Sequence, residues 1–173
     1  MPDFWDQVLA TVRAEFSDLP DIEQWTRIVL RLLVALALGG LLGYEREQQR
    51  KAAGLRTHML VAIGAALFVL VPQQAGMQIA DMSRVIQGIV AGIGFLGAGA
   101  IIKGRGEGHV KGLTTAAGIW TTAAIGIAAG LGREATAIVA TLLALAVLVP
   151  MRRLEDTMDK APRHDDRSEE DRS

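Results

Sequence analysis

The histidines, serines and acidic residues of this 173-residue chain are the groups that could do chemistry. Its histidines, His58, His109 and His164, show neither H-E-x-x-H nor another metal-ligand spacing. The glycine-rich loop 103–109 lacks the G-K-[ST] of a phosphate-binding loop. No serine lies inside an apolar stretch, which excludes an intramembrane serine protease, and only Asp81 among the central aspartates approaches one. We therefore expect no enzyme activity and no cofactor, and no metal site can be assigned.

Arg31 is the one charged residue inside an apolar run, which extends from Ile28 to Gly43. A charge within a span costs about 2.5 kcal/mol or more at the bilayer centre and is by default functional. Six residues at about 1.5 Å each place Arg31 about 9 Å from the interfacial Trp25. Asp81 and Glu134 are expected on the same side and are its candidate partners. Both a structural ion pair and a functional role stay open.

Apolar stretches of helical length predict the membrane spans that would position Arg31 and the other charged residues. Half of the residues are hydrophobic and 21% are charged, which is unlike a soluble enzyme of this length. Because a membrane helix needs about 20 apolar residues, we predict an all-α integral membrane protein with five spans, at 26–44, 57–72, 85–102, 113–131 and 134–150. Pro72 is expected to end the second span, which is therefore either re-entrant or begins earlier, at Ala52.

Lysine and arginine residues predict the orientation. Alternate connections hold 4 and 13 of them, so the positive-inside rule places the N-terminus outside and the C-terminus in the cytoplasm. The acidic first 20 residues do not resemble a cleavable signal. The net charge of −1 gives no indication of nucleic-acid binding. The bilayer itself is the predicted environment.

The two ends of the chain differ from this central domain, 26–150. In residues 1–25, apolar side chains at three- and four-residue spacing predict a short amphipathic helix closed by Pro20. It lies along the outer interface, packs on a neighbouring subunit or is a disordered leader. The tail 151–173 is rich in both charges and reads as solvated and largely disordered.

Small residues predict how the helices pack. Lipid gives helices no hydrophobic force of association, so close backbone approach at glycines takes its place. The G-x-x-x-G pairs and further glycines of the third span are Gly39, Gly43, Gly88, Gly92, Gly94, Gly97, Gly99, Gly126 and Gly130. The third span either sits in the middle of the bundle or lines a path. Thr114 and Thr115 either bond to helix backbone or contact a permeating ion.

A charged segment follows the first span. Glu45 and Arg46 are neighbours in sequence and are not expected to face each other, whereas Arg46 with Arg50, and Glu47 with Lys51, share a helix face. On charge alone, the segment is typical of a basic anchor on anionic lipid headgroups.

Three segments resemble the bacterial MgtC/SapB membrane family: GGLLGYEREQQRKAAGLRTHMLVAIGAALF, DMSRVIQGIVAGIGFLGAGAIIK and VKGLTTAAGIWTTAAIGIAAGLG. The resemblance covers about residues 27 to 150. The positions that match family motifs are Arg31, Gly39, Gly43, Glu45, Arg46, Gly54, Arg56, Thr57, Asp81, Arg84, Gly92, Gly94, Phe95, Gly97, Gly99, Thr114, Thr115 and Trp120. The match favours a specific site or a fold-defining network at Glu45, Arg46 and Arg56 over a lipid anchor.

The resemblance implies a bacterial inner-membrane protein that is linked to adaptation to low magnesium and, in pathogens, to survival inside host cells. Members were long described as magnesium transporters, whereas the better-studied virulence proteins of the family look like modulators of other membrane proteins, including the ATP synthase. Longer members add a soluble C-terminal domain of the ACT type, whereas this sequence stops with the charged tail.

Two function classes remain, a regulator that binds a partner within the bilayer and a magnesium transporter or channel. Magnesium needs oxygen ligands and usually a carboxylate, yet the acids nearest the membrane, Glu45 and Glu47 on one side and Asp81 and Glu134 on the other, are separated by nearly the bilayer thickness. A homo-oligomer could still form a pore lined by glycine carbonyls of the third span. We therefore favour the regulator.

Overall fold

A computed structural model of the chain describes residues 3–15, 21–103 and 110–158, and this part is helical apart from one short β-hairpin. The elements in chain order are α1 Phe4–Glu15, α2 Ile22–Gln48, α3 Leu55–Gln74, α4 Ile79–Ala100, β1 Ile102–Lys103, β2 Val110–Lys111, α5 Leu113–Gly130 and α6 Glu134–Met158. Pro20, most of the loop 103–109 and the tail beyond 158 lie outside the described residues.

Four helices, α2 to α5, are long and apolar enough to cross a membrane by length and composition. They coincide with the first four predicted spans, which confirms the expected helical membrane architecture at this coarser level. The apolar part of α6 is shorter, Glu134–Val149. A fifth span and the orientation of the ends stay predictions.

The second span does not end at Pro72. This residue lies inside α3, and the helix continues to Gln74. A proline removes the hydrogen bond to the carbonyl four residues before it and its ring crowds that carbonyl, but Pro72 lies in the last turn of α3. The next turn still closes, because the Ala75 N–H donates to the Val71 carbonyl across 3.1 Å. With a start at Leu55, α3 has 20 residues and is of full spanning length.

The centre of the bundle is α3 packed between α2 and α5. Three of the predicted packing glycines make this approach possible. A Cβ on Gly39 would lie 2.7 Å from the Ala62 Cβ, and one on Gly126 would lie 2.3 Å from the Ala62 carbonyl oxygen. Gly130 meets the Ala66 carbonyl in the same way, at 2.5 Å. Any side chain at these positions would force the helices apart. The buried core around them consists of Ala35, Leu38, Leu42, Ala62, Ala66, Ile125, Ala129 and Ala137.

The third span, α4, lies at the edge of the bundle, against α5 and, less extensively, α3. Gly97 packs on Ala116 at an ordinary 3.5 Å. Around the Cβ positions of Gly88, Gly92, Gly94 and Gly99, no described atom lies within 4 Å. These four glycines therefore do not make close helix contacts within the described chain, and a central position for this span is not observed.

A glycine shapes the connection between α4 and α5. Strands β1 and β2 pair antiparallel, with Ile102 opposite Lys111 and Lys103 opposite Val110. Gly112 follows with φ at +97°, and a Cβ there would lie 2.0 Å from the Ala100 carbonyl oxygen. Only glycine fits both this backbone conformation and this contact.

The two terminal helices differ in length from the expected segments. α1 is shorter than the predicted 1–25, and none of its described residues is buried. The rings of Phe4 and Trp5 meet edge to face at 5.5 Å between centroids. At the other end, α6 runs eight residues past 150, so the first part of the expected tail is helical.

Candidate functional site

A buried ion pair lies at the end of α2. Arg46 is 2% exposed, and its Nε donates to Glu45 Oε2, although the two residues are adjacent. Glu45 also accepts from the side chain of Gln49 through Oε1. The expectation that neighbouring residues do not face each other is wrong here, because these long side chains curl back over the same helix turn. Glu45 and Arg46 thus form a network inside the protein.

Gly43 explains the burial of Arg46. A Cβ on Gly43 would lie 2.7 Å from the Leu55 Cα, so the start of α3 sits directly against the last turns of α2. Glu47 then closes the junction, since its Oε2 accepts from the Leu55 backbone N–H across 2.7 Å. This carboxylate acts as the N-cap acceptor that Gly54 has no side chain to provide. Among the described ion pairs none joins Glu47 to Lys51.

His58 lies one turn further along α3 and is 0% exposed. Its Nδ1 is 2.9 Å from the Gly54 carbonyl oxygen. Its Nε2 is buried without a hydrogen-bond partner among the described residues. His58 was not a predicted site residue, because it lacks metal-ligand spacing in the sequence. The sequence feature that could have identified His58 is its position, as a polar ring in the first turn of an otherwise apolar helix.

An apolar cavity of about 430 Å³ adjoins His58. It lies between α5 and α6, and its floor includes Leu42 and His58. Thr114, Gly118 and Thr121 line the α5 side. The Thr121 hydroxyl donates to the Ala117 carbonyl across 2.9 Å, the helix-backbone bond expected of membrane threonines. The cavity combines apolar walls with a few polar groups, as small-molecule sites do.

Arg31 occupies the opposite end of the bundle. Its Nη1 donates to Gln73 Oε1 at 2.8 Å and to the Gly130 carbonyl at 3.1 Å. Its Nε lies 3.9 Å from Glu134 Oε1. Of the two acids expected as partners, Glu134 is the one paired, and no described contact joins Arg31 to Asp81. The first half of α2, the ends of α3 and α5 and the start of α6 therefore lie together.

Gly132 makes room for this arginine. Its φ is +74°, and a Cβ there would lie 2.4 Å from Arg31 Nη2. Gln73 and Gly132 were missed by analysis of the sequence, because neither is charged and nothing local links them to Arg31. The cluster joins three helix ends around one cation of α2, which favours a structural role for the pair.

The other predicted site residues do not converge. Thr115 is buried in α5. The remaining five are exposed and lie at three helix starts: Arg56 and Thr57 on α3, Asp81 and Arg84 on α4, and Thr114 on α5. Arg56 and Thr57 share a cleft of about 390 Å³ with Glu47, Arg50 and Lys51. No group of three or more histidine or acidic residues that could hold a metal occurs in the described part of the chain.

A family model for the MgtC family matches residues 32–157. The chain is 42% identical to Protein SrpB of Synechococcus elongatus over 142 residues, which is 76% of this chain and 78% of SrpB. It is also 42% identical to Protein MgtC of Salmonella typhimurium over 135 residues, or 78% of this chain. Protein MgtC of Brucella abortus is 45% identical over 126 residues, or 72% of this chain.

The matches cover 56% and 51% of the two MgtC proteins, so the chain spans about half of their length. No solved structure matches the chain. The matched region contains Arg46, His58 and Glu134 and nearly all of the four candidate spans. This multi-pass membrane protein therefore belongs to the MgtC family.

Proposed function

We propose that this chain is a non-enzymatic regulator in the bacterial inner membrane, which acts by binding the transmembrane helices of other membrane proteins. The observation that carries the proposal is the open glycine face of α4. Gly88, Gly92 and Gly99 have no described atom within 4 Å of their Cβ positions, and Phe95 beside them is 82% exposed.

Helix geometry places these residues together. At about 100° per residue, spacings of four and seven return to nearly the same direction, so Gly88, Gly92, Phe95 and Gly99 share one face. Glycines at such spacing let a second helix approach until the backbones touch. Among the described residues that contact is not made, which leaves the face available to a partner.

Two kinds of partner fit the proposal. One is a second copy of the chain, which would make a homo-oligomer, and the other is a different membrane protein. The family resemblance points to the ATP synthase as a candidate, and to adaptation to low magnesium and virulence as the setting.

Transport of magnesium by an oligomer is the second candidate function, and Asp81 favours it. This exposed residue lies on the same face of α4, two turns before Gly88. Copies packed along α4 would bring their Asp81 carboxylates together as oxygen ligands. The other acids near the spans are already engaged, Glu45 with Arg46, Glu47 with the start of α3 and Glu134 with Arg31. This is why we prefer regulation.

A matched pair of substitutions tests the regulator. Gly92→Leu fills the open face, whereas Gly94→Leu puts the same side chain on the opposite side of α4, where the space is also open. In crosslinking and pull-down from bacterial membranes, we expect Gly92→Leu to lose the partner and Gly94→Leu to retain it. Equal recovery with both variants would contradict the proposal.

Flux into liposomes separates the two functions. We expect purified protein to give no magnesium uptake above that of empty vesicles. A saturable uptake that Asp81→Asn abolishes would establish transport and overturn the regulator.

A further inference from the structure

The orphaned nitrogen of His58 defines what the adjoining cavity can bind. Nδ1 lies against the Gly54 carbonyl oxygen, which can only accept, so Nδ1 carries the proton of the neutral imidazole. Nε2 is then an acceptor, and it is buried without a partner among the described residues. A buried polar atom whose hydrogen bond is not made destabilises the folded protein. A ligand with an O–H or N–H group would recover this energy.

Gly118 is the α5 residue that faces Nε2. A Cβ on Gly118 would lie 3.5 Å from Nε2, and both residues line the cavity. Because glycine has no side chain, no α5 side chain at this position covers Nε2, which is itself buried. An alanine would fit there at an ordinary van der Waals distance and cover Nε2.

The walls indicate an uncharged, lipid-like ligand. Among the described residues that line the cavity there is no lysine, arginine or acidic residue, so a charged headgroup would find no counter-ion. On the α6 side, Leu143 and Val147 are 63% and 62% exposed, which opens the cavity toward the acyl chains of the bilayer. The volume of about 430 Å³ falls in the range of small-molecule sites, about 300–1,000 Å³.

We propose that this cavity binds an uncharged lipid alcohol of the diacylglycerol type. The ligand's hydroxyl donates to His58 Nε2, and one acyl chain lies between α5 and α6. A single acceptor matches a ligand with a single hydroxyl, rather than a quinol with one at each end of its ring. The site uses no residue of α4, so it is independent of the partner face proposed above.

The binding test compares two lipids that differ at one group. The full chain in phosphatidylcholine nanodiscs is titrated with 1,2-dioleoylglycerol or with its 3-acetyl ester, which lacks the donor, and bound lipid is counted by native mass spectrometry. One hydrogen bond to a buried acceptor corresponds to about a tenfold difference in affinity. We expect the alcohol to bind about tenfold more tightly than the ester.

Three variants locate the site. We expect His58→Phe, which keeps a ring but removes the acceptor, and Gly118→Ala, which fills the approach, each to abolish the preference for the alcohol. Gly118→Ala introduces no contact shorter than 3.5 Å, so it tests the site even if His58→Phe does not fold. Gly64→Ala on α3 is the control, since no described atom lies near its Cβ position.

Three outcomes would overturn the proposal. They are equal binding of the two lipids, an unchanged preference in Gly118→Ala, and tighter binding of a quinol than of the diacylglycerol.

Discussion

The guanidinium of Arg31 donates to the backbone carbonyl of Gly130 across 3.1 Å, although 99 positions separate the two residues. Gly130 is the last residue of α5, where unpaired carbonyls give the helix a partial negative charge. The arginine thus satisfies one helix end while it also contacts Gln73 and Glu134. Polar groups of the protein, rather than lipid, therefore contact the charged guanidinium.

Replacing Arg31 with glutamine should destabilise the bundle. The shorter, neutral side chain cannot reach Gln73, Gly130 and Glu134 together, and we expect a loss of about 1–3 kcal/mol in the free energy of unfolding. The measurement is unfolding by dodecyl sulfate in mixed micelles, followed by circular dichroism. Arg27→Gln is the matched control, because its exposed pair with Glu23 should contribute less than about 0.5 kcal/mol. Equal losses in the two variants would contradict a specific role for Arg31.

Gly132→Ala should act partly through Arg31. We expect about 1 kcal/mol from the positive φ alone and a further loss because the new Cβ displaces the guanidinium. In the Arg31→Gln background only the loss from the positive φ should remain. A double-mutant cycle should therefore show a coupling of at least about 0.5 kcal/mol between the two substitutions. If the two losses in the free energy of unfolding simply add, Gly132 does not act through Arg31.

Gly126→Ala should weaken the contact between α3 and α5. The added Cβ would lie 2.3 Å from the Ala62 carbonyl oxygen, which is backbone and cannot swing aside. We expect a loss of about 1–3 kcal/mol in the free energy of unfolding. Gly64→Ala, in open space, should be neutral or gain up to about 1 kcal/mol from helix propensity. Similar effects at both positions would show that the close approach does not matter.

Glu47→Ala should cost about 1 kcal/mol, the usual effect of removing a helix cap. The loss reflects the Leu55 N–H, which would have no acceptor at the start of α3. Lys51→Ala tests the alternative, in which Glu47 stabilises the protein through the ion pair with Lys51 that helix spacing predicts. We expect this variant to change the free energy of unfolding by less than about 0.5 kcal/mol. Thermal unfolding of both variants in detergent is the measurement. Equal losses for Lys51→Ala and Glu47→Ala would favour the ion pair.

The sequence predicts the positions of the four apolar helices well, because the length of an uncharged run directly limits what can cross a bilayer. It also places Glu134 at the same end as Arg31, by alternation of the helices. The sequence could not show whether Glu134 or Asp81 pairs with Arg31. That pairing depends on α4, which carries Asp81 and packs at the edge of the bundle rather than beside α2.

Other features depend on contacts that no local pattern encodes. Glycine spacing is the same whether a helix packs within its chain or against another one, so the closed face at Gly126 and the open face at Gly92 look alike in sequence. The burial of His58 depends on Gly118, 60 positions away. The contact between Glu45 and Arg46 depends on side-chain rotamers, which helix spacing rules do not describe.

The Arg31 cluster also constrains the order in which the protein can be assembled. A ribosome delivers Arg31 to the membrane long before Gln73, Gly130 and Glu134, so the arginine enters the bilayer ahead of all three of its partners. Only when α6 has begun to emerge are the contacts complete. Insertion of α2 and its final anchoring are therefore separate events in biogenesis, and a nascent chain arrested before residue 134 lacks the acid of this cluster.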